Sequence, residues 1–224
     1  MTYTQGIDVS HWQDVKWLDW KNKGYVFAWL KATEGTNWED NTWKQKYSDA
    51  KQQDFYLGAY HYFRVAWNGA VQAAWFWNAI KDHQWDNPPM VDVERTNNLG
   101  YSQSVFAARL RNFLNEFEQL SGIRPVIYTN RSSWQQLIGH AAWATAYDLW
   151  VANYTTNAVP LIPDDWQGKG WKLWQYTSVP LDQDRFDGSL ADFLEWIGVP
   201  PSTNLNVVTV TYDPNTTKII LNTG

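Results

Sequence analysis

Pro89-Met90-Val91-Asp92-Val93-Glu94 is a short apolar run carrying two acids, and its surroundings decide the fold. In a strand, residues two apart share a face. Asp92 and Glu94 therefore point one way, and Val91 and Val93 the other. Helical patterns lie on both sides. Residues 69–81 form an aromatic-rich stretch before the run. After it, Val105, Leu110, Phe113, Leu114 and Phe117 recur at helical spacing within 102–120, and Gly122 follows the end. The alternation continues outward in both directions. Strand-like runs at 6–10, 25–31 and 56–63 are separated by helix-compatible stretches at 14–23 and 42–53. Downstream come a strand at 125–129, a helix at 132–138, strands at 149–152, 171–176 and 185–187, and a last helix at 190–196. Five βα units followed by three strands predict an α/β protein with a parallel sheet closed, or nearly closed, into a barrel. An open doubly wound sheet is the alternative. No Gly-rich fingerprint follows the first strand and no P-loop is present, which disfavours a nucleotide-binding fold. In a barrel, the valines would pack on helices. Asp92 and Glu94 would face the interior near the C-terminal end of their strand, where such enzymes place their sites.

Composition narrows the function. The 224 residues hold 18 Lys+Arg against 23 Asp+Glu, a net charge of −5, so no nucleic-acid partner is expected. With no cysteine, a disulfide scaffold, thiolate metal sites and a cysteine nucleophile are excluded. No apolar run approaches the ~20 residues of a membrane span, so no membrane insertion is expected. The 17 Trp, 12 Tyr and 9 Phe are more than a core commonly needs. Flat aromatic faces also suit sugar rings, so composition leaves carbohydrate contact and an aromatic-heavy core both open.

The acids carry the chemistry. Two inward carboxylates at Asp92 and Glu94 are costly unless they work or are paired, and Arg64 or Arg95 could pair them. Asp8, in Gly6-Ile7-Asp8-Val9-Ser10, repeats the pattern of an acid in the C-terminal half of an apolar run. Asp182, in Leu181-Asp182-Gln183-Asp184-Arg185-Phe186, reads alone as a loop acid. Four acids converging on one barrel end would hold a proton on one raised-pKa group while others stay ionised. His11 and His61 sit at strand ends and could line the site. His83 and His140 have helix-end or loop contexts. No histidine pair has ligand spacing, and neither a metal nor an organic cofactor is expected. No Gly-x-Ser-x-Gly elbow supports a serine hydrolase.

Eight blocks in order resemble the glycoside hydrolase family 25 lysozymes, the Chalaropsis-type N-acetylmuramidases of bacteria, fungi and phages. They are Gly6-Ile7-Asp8-Val9-Ser10-His11-Trp12-Gln13, Lys31-Ala32-Thr33-Glu34-Gly35, Gly58-Ala59-Tyr60-His61-Tyr62-Phe63, Val91-Asp92-Val93-Glu94, Ile127-Tyr128-Thr129-Asn130, Leu149-Trp150-Val151-Ala152-Asn153-Tyr154, Trp174-Gln175-Tyr176-Thr177 and Asp182-Gln183-Asp184-Arg185-Phe186. The resemblance covers roughly residues 5–196. It implies a TIM-like barrel of five helices and eight strands. It implies cleavage of the β-1,4 bond between N-acetylmuramic acid and N-acetylglucosamine in bacterial peptidoglycan. It also implies that Glu94 is the general acid/base, with Asp92, Asp8 and Asp182 as the other site acids. Lys31, Tyr60, Tyr62, Tyr128, Trp150 and Gln175 fall in substrate-lining blocks. Asp184 departs from the family's usual asparagine and adds a charge near Asp182.

Such hydrolysis passes through an oxocarbenium-like transition state while the leaving oxygen needs a proton. Glu94, among acids in a partly dry site, is expected to have a raised pKa and to give that proton, with Asp92 ionised. Either a carboxylate or the substrate's own acetamido oxygen then attacks; the Asp-x-Glu spacing resembles the substrate-assisted enzymes, which retain configuration. A chitinase-like glycosidase would share Asp-x-Glu but not the Asp8 or Asp182 blocks. A non-catalytic glycan-binding barrel would not need Glu94. Residues 1–198 are read as the catalytic barrel, 199–206 as a linker and 207–224 as a β-hairpin extension, through which the chain could self-associate. Met1 lies a few residues before the first strand with no basic start and no apolar stretch. The expectation is synthesis in the cytoplasm and release to the wall as a phage or prophage lysin.

Overall fold

The computed structural model describes residues 2–200, 209–213 and 218–222. Its strands, in chain order, are β1 (Tyr3–Val9), β2 (Tyr25–Glu34), β3 (Trp38–Glu39), β4 (Tyr56–Tyr62), β5 (Met90–Asp92), β6 (Val126–Thr129), β7 (Leu149–Ala152), β8 (Leu173–Thr177) and β9 (Gln183–Asp187). Eight of them close in the order β1-β2-β4-β5-β6-β7-β8-β9 and back to β1, while β3 adds a two-residue edge to β2. Pairing is parallel from β1 through β8. It is antiparallel where β9 meets β8 and β1. The expected parallel sheet thus closes through one antiparallel strand, β9. Only a short turn joins β8 to β9, and a parallel return needs a crossover of about a dozen residues.

Five helices make the crossovers: α1 (Trp17–Asn22), α2 (Trp43–Lys51), α3 (Gly69–Ile80), α4 (Gln103–Ser121) and α5 (Arg131–Leu137). Asn68, Ser102 and Asn130 cap α3, α4 and α5, each side chain accepting a backbone N–H three residues on. A sixth helix, α6 (Leu190–Trp196), is the last helix expected from the sequence and stands beyond the five that the resemblance implies. It starts at a capping box between Ser189 and Asp192. Its fully buried Phe193 stacks on Phe27 with ring centroids 4.9 Å apart. Phe27 lies near the start of β2, so α6 closes the end of the barrel where the parallel strands begin.

The period of two sorts the strand side chains into two cores. Outward residues such as Ile7, Ala28, Leu30, Leu57, Val91, Ile127 and Val151 pack under the helices with Phe76, Phe113 and Phe117. Inward residues Phe27, Trp29, Met90, Val126, Trp150, Leu173 and Phe186 fill the barrel with Phe193. The interior is tight enough to require glycine on two strands. A Cβ on Gly6 would lie 1.9 Å from the Phe27 ring, and one on Gly58 2.3 Å from Trp29 Nε1. Large aromatics therefore fill the lower barrel, and polar inward residues are left at the opposite end.

A second, two-stranded sheet pairs β10 (Thr209–Asp213) with β11 (Lys218–Asn222) antiparallel. Residues 201–208 of the expected linker and hairpin, its turn at 214–217 and residues 223–224 lie outside the described residues. Among the described residues, no helix is long and apolar enough to cross a membrane.

Candidate active site

A pocket of about 270 Å³ opens at the C-terminal ends of the parallel strands. Asp8 on β1, Asp92 at the end of β5, Glu94 just after it and Asp182 just before β9 all line it, as do Lys31, Tyr60, Tyr62, Tyr128 and Gln175. The four acids separated in sequence thus share one space, with Lys31 as the cation among them.

The Asp-x-Glu pair is built differently from a simple strand. β5 ends at Asp92, so Glu94 stands beyond it. Its backbone is nonetheless held as if the ladder continued. Phe63 N–H donates to the Asp92 carbonyl at 2.9 Å and Val93 N–H to that of Tyr128 at 2.9 Å. The Thr129 hydroxyl reaches the Val93 carbonyl at 2.8 Å. Buried Asn98 donates its amide to the Glu94 and Phe63 carbonyls at 2.9 and 2.7 Å and accepts Val65 N–H at 2.8 Å. Val93 stays fully buried among the helices, so Asp92 and Glu94 keep a common side.

Beside them runs a polar chain. Gln175 donates to Asp8 Oδ2 at 2.6 Å, and its carbonyl accepts the hydroxyls of Tyr128 at 2.9 Å and Tyr154 at 2.6 Å. Tyr62 is fixed by its hydroxyl on the Thr96 carbonyl at 2.9 Å. Lys31 lies 4.8 Å from the centre of the Tyr62 ring and pairs with Glu34 at 2.7 Å; Arg64 holds the other Glu34 oxygen at 2.7 Å.

Crowding acids out of water shifts them all the same way. Burial raises Glu94, and the charge of Asp182 adds to it, while Lys31 and Arg95 oppose it. Burial, then Glu94, pushes Asp92 well above the usual carboxylate range, with Lys31 pulling back. Burial, then Asp182, does the same to Asp8, and burial raises Asp182. The cluster therefore retains protons at a pH where isolated carboxyls have lost them, which suits it to give a proton to a leaving group.

Three expectations change. Trp150 is not on the pocket wall. It is fully buried one step lower in the barrel, its ring 4.8 Å from that of Trp29 and its indole N–H donating to Asp184 at 3.0 Å. Asp184 is likewise enclosed, so Asp182 is the acid of that block that meets the pocket. His61 points outward under α3, bonded to Thr33 at 2.8 Å and Gln72 at 3.2 Å; burial lowers its pKa to about 3. His11 pairs with Asp40 at 3.2 Å in the adjoining cleft.

Ser10, Trp12, Gln13, Met90 and Tyr154 also line the pocket, although their sequence contexts do not single them out as site residues. Ser10 and Gln13 brace each other, and Gln13 reaches Asp182 at 3.4 Å. Of the tryptophans, Trp12, 81% exposed, and Trp67, 48% exposed, are the most open to solvent; the others are half-buried or buried. Trp12 and Trp67 line the adjoining cleft with Lys31, Glu34 and Arg64, and Trp12 lines the acid pocket as well. The tryptophan excess is thus mainly core, and one of its two exposed members, Trp12, lines the pocket of the acids.

The family model of glycosyl hydrolases family 25 matches residues 7–184. Lysozyme M1 of Streptomyces globisporus is 32% identical over 210 residues, covering 85% of this chain and 70% of that protein. An N,O-diacetylmuramidase of Chalaropsis sp is 28% identical over 186 residues, covering 76% and 86%. A family GH25 lysozyme structure from Aspergillus fumigatus superposes with a TM-score of 0.80 at 29% identity, over 87% of this chain and 98% of that one. With the match running from within β1 to the start of β9, the chain is a glycoside hydrolase and belongs to glycosyl hydrolases family 25.

Proposed function

We propose that the protein is a muramidase that hydrolyses the β-1,4 bond between N-acetylmuramic acid and N-acetylglucosamine in bacterial peptidoglycan, with Glu94 as general acid/base. The convergence of Asp8, Asp92, Glu94 and Asp182 on one barrel mouth carries this reading. Family membership and relatives named lysozyme and N,O-diacetylmuramidase support it. Its place of action is then the cell wall.

The chemistry follows from where charge develops. As the glycosidic bond breaks, the leaving oxygen needs a proton and the anomeric carbon becomes positive. Glu94 is the partly exposed member of the raised-pKa pair, so it can reach a bound sugar and still hold a proton. Asp92, deeper and beside Lys31, supplies negative charge once the pair has lost its first proton. In our reading Asp92 orients and stabilises the substrate's acetamido group, whose oxygen attacks the anomeric carbon. Water then opens the ring so formed, with Glu94 as base, and configuration is retained. Lys31, Tyr60, Tyr62, Tyr128 and Gln175 bind the sugar at the wall of the pocket.

Mass spectrometry of digests tests the bond assignment. Purified peptidoglycan should yield fragments with a reducing N-acetylmuramic acid end, and a chitin oligomer should stay intact. Reducing N-acetylglucosamine ends, or cleavage of chitin alone, would overturn it.

A further inference from the structure

Asp184 is a buried acid that the mechanism above leaves unused. It faces the barrel interior from β9 and is fully enclosed. Its Oδ1 accepts the Trp150 indole N–H at 3.0 Å, and its Oδ2 is buried with no N–H donor among the described residues. On the paired strand β1, Gly6 stands opposite Asp184 and Asp8 comes two residues later on the same inward face, and the two carboxyls act on each other by charge and by hydrogen bonding. Two carboxyl groups can bond to each other only through a proton.

The groups around it give no substitute for that proton. Asp8 on β1, Asp182 just before β9 and Tyr25 on β2 are the titratable groups that act on it or feel its charge. Gln175, its partner across β8, is neutral and uses its amide on Asp8. Arg185 points to the other face, its guanidinium over the rings of Tyr176, Tyr3 and Trp174. Lys31, the inner-face cation, is held by Glu34. An ionised Asp184 would be a buried charge without a counter-ion, which proteins avoid by keeping the proton.

We propose that Asp184 is a positioning residue: it stays a neutral acid in the working enzyme and donates its proton to Asp8, holding Asp8 as an ionised acceptor at the pocket. The inference rests on Asp8 being one of the site acids. Burial, then the charges of Asp8 and Asp182, pushes the Asp184 carboxyl well above its ordinary range. Donation from Gln175 and from Asp184 works against burial at Asp8.

The sign of the pH effect is fixed. The folded chain holds a proton on Asp184 that the unfolded chain releases near an ordinary aspartate pKa of about 3.9. The stability tied to that proton is fully present below this pKa and is lost as pH rises through the higher folded one. Losing the proton also removes Asp8's donor and sets a second charge beside it, so activity falls over the same upper range.

Asp184→Asn tests this, because an amide donates as the acid does but cannot ionise. Thermal unfolding and peptidoglycan cleavage are followed from about pH 5 to about pH 8. The variant's midpoint should gain on wild type as pH rises. Its activity should stay within about threefold of wild type at the acidic end and decline later on the alkaline side. Asp184→Leu, which cannot donate, should lose about tenfold or more in kcat/KM, a loss the Asn variant does not share. A midpoint difference that is constant with pH, or equal activity and pH profiles for the Asn and Leu variants, would overturn the proposal. Wild-type cleavage of peptidoglycan is the separate control. If it is absent, the muramidase reading fails, while the unfolding series still decides whether Asp184 holds the proton.

Discussion

Replacing Glu94 by glutamine removes one proton and one potential charge and little else. Among the described residues the Glu94 carboxyl makes no side-chain hydrogen bond or ion pair; its position is set through its own carbonyl and its neighbours' backbone. Glutamine matches its shape, so the fold loses no contact. The charge lost belongs to a group whose pKa is raised by burial and by Asp182, so its removal relieves the folded state at neutral pH. Thermal unfolding of Glu94→Gln should therefore occur at or above the wild-type midpoint. Activity should move the other way. A positioned general acid is worth about 10²–10⁴-fold, which is about 2.7–5.4 kcal/mol at 1.36 kcal/mol per decade. The assay is release of reducing ends from purified peptidoglycan, read beside the loss of turbidity of a wall suspension. A folded variant that retains activity within about threefold of wild type would refute the assignment of Glu94 and shift the proton donor to another acid of the cluster.

The neighbouring residues yield sharper contrasts. Asp92→Asn should cost about 10²-fold or more in kcat with a smaller change in KM, because it removes charge needed mainly in the transition state; steady-state kinetics on soluble muropeptides reads this. Asp182→Asn removes the second cause of the raised Glu94 pKa, so the alkaline limb of the pH–rate profile should move to lower pH. Gly58→Ala places a Cβ 2.3 Å from Trp29 Nε1, which is itself bonded to the Pro88 carbonyl at 3.0 Å. Overpacking of this kind costs about 1–3 kcal/mol, or about 2–4 °C in midpoint per kcal/mol for a chain of this size, by calorimetry. Trp12→Ala, at a ring that is 81% exposed, should leave the midpoint unchanged and weaken glycan binding measured by titration.

What the residues disclose before folding is direction, and what they withhold is depth. Val91-Asp92-Val93-Glu94 shows which side chains share a face, and that face is the barrel interior. The same rule places Trp150 and Asp184 inward. It does not say how far along the barrel axis each one sits. Trp150 pairs with Leu173 on β8, and Ala152 with Gln175. That two-residue step puts Trp150 in the aromatic filling and Gln175 on the pocket wall. The same step separates Asp184 on β9, sealed behind the wall, from Asp182 just before that strand, which lines the pocket. Tyr154 shows the opposite gap. It belongs to the 149–154 block, two residues past β7, and reaches the site because its loop brings its hydroxyl onto Gln175.

Depth also decides which acids can do chemistry. An inward carboxyl at the mouth can meet both water and substrate, so it can exchange the proton that burial makes it keep. One step lower, the same group keeps its proton and exchanges it with nothing but a neighbouring side chain. Glu94 occupies the first situation and Asp184 the second, although both have pKa values raised chiefly by burial. A raised pKa therefore does not identify the proton donor. Access does, and the loop pinned by Asn98, which holds Glu94 beyond the end of β5, supplies it.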